Sequence, residues 1–129
     1  MKDLVEIFKS LSDGTRLRIL NLLIERDCCV CEVVQALGIS QTRASRNLSQ
    51  LYDAGLLAQR REGLWVIYCL APQTHNDHRD LIIRAVDQAL KGNDQATSDR
   101  RCLRGSSRLC PPTNSNSLQP GNVPQVRNT

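Results

Sequence analysis

Cys29-Val30-Cys31 sets two thiols one residue apart, with Cys28 directly before them, at the start of a short apolar stretch. Sulfur donors select thiophilic ions, so trivalent arsenic or antimony suits such a set better than magnesium or calcium. Three cysteines within four positions at a helix start point to a metal or metalloid site. The plainer reading, small apolar core residues, suits Cys28 or Cys69 singly. With a helix read from Asp27 to Leu37, an ideal turn of about 100° per residue sends Cys29 and Cys31 about 200° apart. Binding through that pair then requires the first turn to unwind. Cys28 and Cys31 lie only about 60° apart on the same helix, which makes Cys28 the nearest additional donor. A helix N-terminus favours the thiolate form, while Asp27 and Glu32 beside it oppose it.

A second constellation follows immediately. Gly38 breaks the preceding helix, Ser40 can cap the next, and Gly55 stops it after about Ala54. Ala44, Leu48 and Leu51 form its apolar stripe, and Thr42, Arg43, Arg46, Asn47 and Gln50 project from the other side. Arg grips guanine in a bidentate manner, Asn or Gln grips adenine, and Ser or Thr takes edges or phosphates. The expected DNA-contacting set is therefore Ser40, Gln41, Thr42, Arg43, Ser45, Arg46, Asn47 and Gln50. Arg60 and Arg61 on the following hairpin join it as a wing on the backbone or minor groove. Against these four Arg, Asp53 is the only acid from residue 40 to residue 61, so the positive field is local to the reading face.

The elements that position these groups are legible from periodicity. Leu4, Ile7, Phe8 and Leu11 make a first helix, and Leu17, Leu20, Leu23 and Ile24 mark a second, capped by Ser12 or Asp13. Two strands, Leu56 to Arg61 and Leu64 to Leu70, bracket Glu62-Gly63 as a hairpin. Thr74-x-x-Asp77 can open a last helix with Ile82, Ala85, Val86 and Ala89 as its stripe. Residues 1–91 are expected to form the DNA-binding and dimerisation domain. Residues 92–129, rich in Ser, Asn, Gln, Arg, Gly and Pro, are expected to be disordered. Lys and Arg number 12 against 11 acids through residue 91, and five Arg stand against two Asp beyond it, giving the total of +4. The apolar stripes exceed what one core of about 90 residues needs, so a homodimer is expected. The opening Met1-Lys2-Asp3-Leu4-Val5-Glu6 lacks the pattern of a signal peptide, and no apolar run approaches a membrane span. A reducing cytoplasm with reactive thiols, no membrane and no organic cofactor is the expectation.

Five blocks follow one another in the order of a known family. They are Leu11-Ser12-Asp13-Gly14-Thr15-Arg16-Leu17-Arg18-Ile19-Leu20; Cys29-Val30-Cys31-Glu32-Val33; Ser45-Arg46-Asn47-Leu48-Ser49-Gln50-Leu51; Ala54-Gly55-Leu56-Leu57; and Gly63-Leu64-Trp65-Val66-Ile67-Tyr68. Over about residues 2–90 the chain resembles the ArsR/SmtB winged-helix repressors, most closely the arsenic-responsive ArsR branch. The resemblance implies a mainly α, winged helix-turn-helix homodimer that joins through its first and last helices. It implies binding to operator double-stranded DNA and release when arsenite or antimonite binds cysteine. It also places Cys29 and Cys31 on two of three thiols of the arsenite site. The third falls at Val34, which leaves Cys28, Cys102 and Cys110 as candidate replacements. Other members hold zinc or cadmium between last helices with Asp and His. Here His75, Asp77 and His78 lack matching partners, because Asp87, Gln88 and Leu90 occupy the later turns. A thiol-redox or reactive-sulfur-sensing repressor is the alternative. An enzyme is not expected, since the chain has no βαβ pattern to carry a thiol oxidoreductase.

Overall fold

In the computed structural model, which describes residues 1–72 and 78–108, helix α1 (Lys2–Leu11) leads through Ser12 and Asp13 into α2 (Gly14–Glu25). Asp13 ends the ambiguity over the cap, since its carboxylate accepts from the Arg16 amide at 3.0 Å. Helix α2 runs through the middle of the core, with Ile19, Leu20, Leu22 and Leu23 buried. Helices α3 (Val30–Leu37) and α4 (Gln41–Asp53) pack on it as a helix-turn-helix. Between them Gly38 takes the left-handed φ of +68° that lets α3 end in a tight corner. Ser40 caps α4 by accepting from the Arg43 amide at 3.1 Å.

The hairpin forms from β2 (Leu57–Glu62) and β3 (Trp65–Leu70), with Glu62 paired to Trp65 across the turn. A third strand, β1 (Cys28–Cys29), adds to its other edge through Cys28↔Tyr68 and Cys29↔Ile67, so the sheet order is β1-β3-β2. This corrects the expectation of a helix from Asp27. The free edge of β3 gives Cys28 and Cys29 backbone partners, and Glu32 fixes the helix start two residues later. Its Oε1 accepts from the Cys29 amide at 2.9 Å while the Cys29 side chain faces the Glu32 amide, a reciprocal cap.

Helix α5 (Arg79–Leu90) follows, and then α6 (Asp94–Arg104). The expectation of disorder from residue 92 therefore fails over α6. Asn93 caps this helix at the Ala96 amide, Asp94 lies in its first turn and Arg101 and Arg104 in its last, all favourable to the helix dipole. Its apolar contribution is small, chiefly Ala96 and Leu103, and both are buried. Polar contacts supply the rest. Arg18 makes a two-pronged pair with the buried Asp99 at 2.8 and 3.0 Å, Asn21 donates to the Ala96 carbonyl, and Arg26 donates to that of Leu103. Helix α1 exposes Val5 and Phe8, and α5 buries no residue and leaves Leu81 exposed.

Candidate functional site

The three clustered cysteines are all buried but do not share one environment. Neighbouring strand residues point to opposite faces, and Cys28 enters the main core, its thiol 3.3 Å from the Arg26 carbonyl oxygen. Cys29 and Cys31 turn the other way and form a separate small cluster with Ile67 and Trp65 of the wing. Because Cys29 is the cap residue of α3 and not part of its first turn, the divergence of two helical positions does not apply. The expected unwinding is unnecessary for the pair to meet, and Cys28, the expected third donor, is the one directed away.

Burial pushes the Cys28 thiol up to about 12, with the Glu32 carboxylate adding to the rise and the Arg26 guanidinium opposing it. Burial likewise raises Cys29 to about 11. Both are protonated at neutral pH, so the helix N-terminus loses to desolvation. Cys28, Cys29, Cys69 and Cys102 are free thiols, whereas Cys31 is held in a disulfide. Gln35 also reaches the Cys31 sulfur, its Nε2 at 3.1 Å. Cys69 lies half-buried on β3 with its thiol toward the Ala58 carbonyl, and Cys102 is exposed on α6. Among the described residues no group of three Cys, His, Asp or Glu is gathered to hold an ion. His78 stands exposed before α5, while His75, Asp77 and Cys110 lie outside the described residues.

On α4 the expected reading face is divided. Gln41, Thr42, Arg43, Arg46 and Gln50 are exposed, Ser40 is an exposed cap, and Ser45 is half-buried. Arg46 and Arg61 carry no ion pair among the described residues and are available to phosphate or bases. Asn47 is buried instead, donating to the Arg43 carbonyl at 2.9 Å and accepting from Arg16 at 3.1 Å. Its helical position is right for the groove, but Arg16 of α2 has drawn it inward. Arg43 also reaches back, donating to the Thr15 hydroxyl at 2.8 Å, and Gln50 accepts from Arg16.

Arg60 is engaged too. It pairs with Asp27 beside the thiols at 2.6 Å and with Glu62 at 2.7 Å. Arg108, just beyond α6, reaches Glu62 at 3.1 Å and lies 3.9 Å from Glu32, while Arg26 holds Glu32 at 2.9 Å. The cap of the thiol helix, the wing and the end of α6 therefore share one chain of ion pairs. Arg26 and Arg108 are the members that the residue types alone did not single out. Their partners Glu32 and Glu62 lie on other elements, so the signal is tertiary.

A helix-turn-helix with a basic exposed second helix and an adjoining hairpin defines a winged-helix DNA-binding regulator. Residues 13–59 match the family described as bacterial regulatory protein, arsR family. The Arsenic resistance transcriptional regulator ArsR1 of Pseudomonas putida is 46% identical over 67% of this chain and 62% of its own. The Arsenical resistance operon repressor of Escherichia coli is 46% identical over 53% and 59% respectively. The chain thus spans about three-fifths of the length of these curated relatives. Among solved structures, the homodimeric winged helix-turn-helix DNA-binding domain of Mb0332 from Mycobacterium bovis, described as a possible ArsR-family transcriptional regulator, superposes with a TM-score of 0.60. It is 29% identical, over 72% of this chain and 82% of that one. The chain belongs to the arsR family of bacterial transcriptional regulators, a family of DNA-binding proteins and not of enzymes.

Proposed function

We propose that the protein is a cytoplasmic transcriptional repressor that binds operator DNA as a homodimer. It leaves the operator when arsenite or antimonite condenses with Cys29 and Cys31. The observation that carries this reading is the seating of those two sulfurs together against Ile67 and Trp65, in a cluster whose own backbone is paired to the wing. Trivalent arsenic forms one As–S bond per thiol and releases one water for each, so neutral, buried thiols are suitable reactants. An ion larger than the space between two packed side chains moves β1 and the start of α3. Through β3 and the Asp27–Arg60 pair that movement reaches the wing, and through the α3–α4 packing it reaches the reading helix. The names of the arsenic resistance relatives support the choice of ion. The exposed apolar residues of α1 and α5, together with the homodimeric Mb0332 domain, support the dimer. No helix among the described residues is long and apolar enough to cross a membrane.

The disulfide at Cys31 favours a second reading on the same scaffold, a repressor released by an oxidant or a reactive sulfur species. The two separate cleanly. The reduced protein first selects its preferred duplex from a random pool, and release from that duplex is followed by gel shift. Arsenite without oxidant is expected to release it. If peroxide or polysulfide releases the duplex and arsenite does not, the second reading replaces the first.

A further inference from the structure

We propose that Ser49, Gln59 and Tyr68 form an uncharged seat for one phosphate of the DNA backbone, set between the reading helix and the wing. The inference rests on the DNA binding proposed above and adds a contact to it. The three residues stand outside the DNA-contacting set expected from residue type, and they meet only through the fold.

Tyr68 is the centre of the group. Its ring lies in the main core, with 7% of the residue exposed, opposite Cys28 of β1. Its hydroxyl reaches out between two elements. Gln59, directly across the hairpin on β2, donates to it through Nε2 at 3.2 Å, and Ser49 of α4 is hydrogen-bonded to it as well. Ser49 and Gln59 are both exposed. The hydrogens in this group exceed their acceptors. The two hydroxyls carry two hydrogens, and the bond between them uses one, whichever donates. The Gln59 amide carries two and gives one to Tyr68. One O–H and one N–H are therefore left without an acceptor among the described residues. Two adjacent donors with no charge of their own suit the oxygens of a phosphate, for which Ser, Gln and Tyr are common partners.

The location agrees with that ligand. A reading helix in the major groove and a hairpin on the neighbouring minor groove are separated by one sugar–phosphate strand. Ser49 follows Arg46 by three residues and Thr42 by seven, so these share one face of α4. Side chains alternate along β2, which puts Gln59 and Arg61 on the face of Tyr68 and Val66. Arg60 takes the face of Ile67 and turns to Asp27. The group thus joins the Arg46 face of the helix to the Arg61 face of the wing, and both arginines are without an ion pair among the described residues. Asp53, one turn past Ser49, also acts on Tyr68, so an anion is favoured on the Arg46 side.

The test uses full-length reduced protein and the duplex it selects from a random pool, remade with a neutral methylphosphonate at one phosphate at a time. Wild type is expected to lose at least about tenfold in affinity at one phosphate in each half-site, the scale of a hydrogen bond to a charged group. Y68F removes the shared hydroxyl and keeps the ring in the core, while S49A/Q59A changes only exposed side chains. Both variants are expected to bind the unmodified duplex at least about tenfold more weakly and to be indifferent to the methylphosphonate at that phosphate. Their base preference in a repeated selection should match wild type, and so should the slope of affinity against salt. R61A, in contrast, should flatten that slope by about one per protomer. Wild-type affinity in Y68F and S49A/Q59A overturns the inference. So does a methylphosphonate penalty that persists undiminished in both, or a loss confined to one base pair, which marks a base contact. A wild-type protein that selects no duplex overturns the DNA-binding function itself, and the phosphate seat with it.

Discussion

Burial keeps the Cys29 thiol protonated until close to pH 11, and this makes pH a way to identify the ion. Arsenous acid is neutral and releases water from neutral thiols, so its equilibrium affinity is expected to stay flat between about pH 6 and pH 8. A divalent cation such as cadmium must displace each thiol proton, so its affinity should rise by up to about tenfold per pH unit for each proton displaced. Isothermal titration at several pH values checks this, and an arsenite affinity that climbs as the cadmium affinity does would contradict it. On α4, burial also separates two residues that look alike in the sequence. Arg46→Ala is expected to weaken operator binding by about 1–3 kcal/mol with little change in thermal stability. Asn47→Ala should lower stability by about 1–2 kcal/mol, because it leaves Arg16 and the Arg43 carbonyl without their buried partner. Thermal melts and duplex titrations of the two variants check the contrast, and the reverse pattern would exchange their roles.

Helix α6 shows how a largely polar element is held by its partners. Asp99 is almost fully buried and is satisfied by Arg18 and Gln95. Asp99→Ala is therefore expected to cost about 1–3 kcal/mol, at the lower end for a buried pair because Arg18 keeps partial access to water. Denaturant unfolding measures this, and an unchanged midpoint would mean that α6 contributes no stability. Nothing in the hydropathy of residues 94–104 announces the helix, since its contacts are Arg18, Asn21 and Arg26 on α2 and just after it. Only the cap at Asn93 and the charge order from Asp94 to Arg104 were local signals. The helix-turn-helix and hairpin were legible because Gly38, Ser40 and Gly63 act locally and the apolar stripes repeat at helical spacing. The pairing of Cys28 and Cys29 with β3 was not, because a two-residue strand has no period and depends wholly on the edge it meets. The candidate site divides along the same line. Its residue types were visible at Cys29, Cys31 and Arg46, while the sidedness of Cys28, the burial of Asn47 and the engagement of Arg60 came from partners distant in sequence.

At the scale of the whole molecule, the thiols of Cys29 and Cys31, the wing and the end of α6 lie together, and Val5 and Phe8 of α1 and Leu81 of α5 leave apolar surface on the outer faces of those helices. A second copy covering those faces gives two reading helices and two wings for one duplex, and Phe8→Glu on α1 is expected to yield a monomer in sedimentation with much weaker duplex binding. A dimeric Phe8→Glu protein would move the interface elsewhere. The ion and DNA then oppose each other by linkage, each weakening the other by the same factor. Shifting the population from 1:99 to 99:1 needs a differential of about 5.5 kcal/mol, within the range of a few metal–sulfur bonds and beyond a single hydrogen bond. The most direct measurement is fluorescence anisotropy of the selected duplex bound to reduced protein during an arsenite titration, for wild type and for Cys29→Ser, Cys31→Ser together. The wild type should release the duplex, and the double variant should bind it with equal affinity and hold it at every arsenite concentration. Equal release from both proteins would contradict the account.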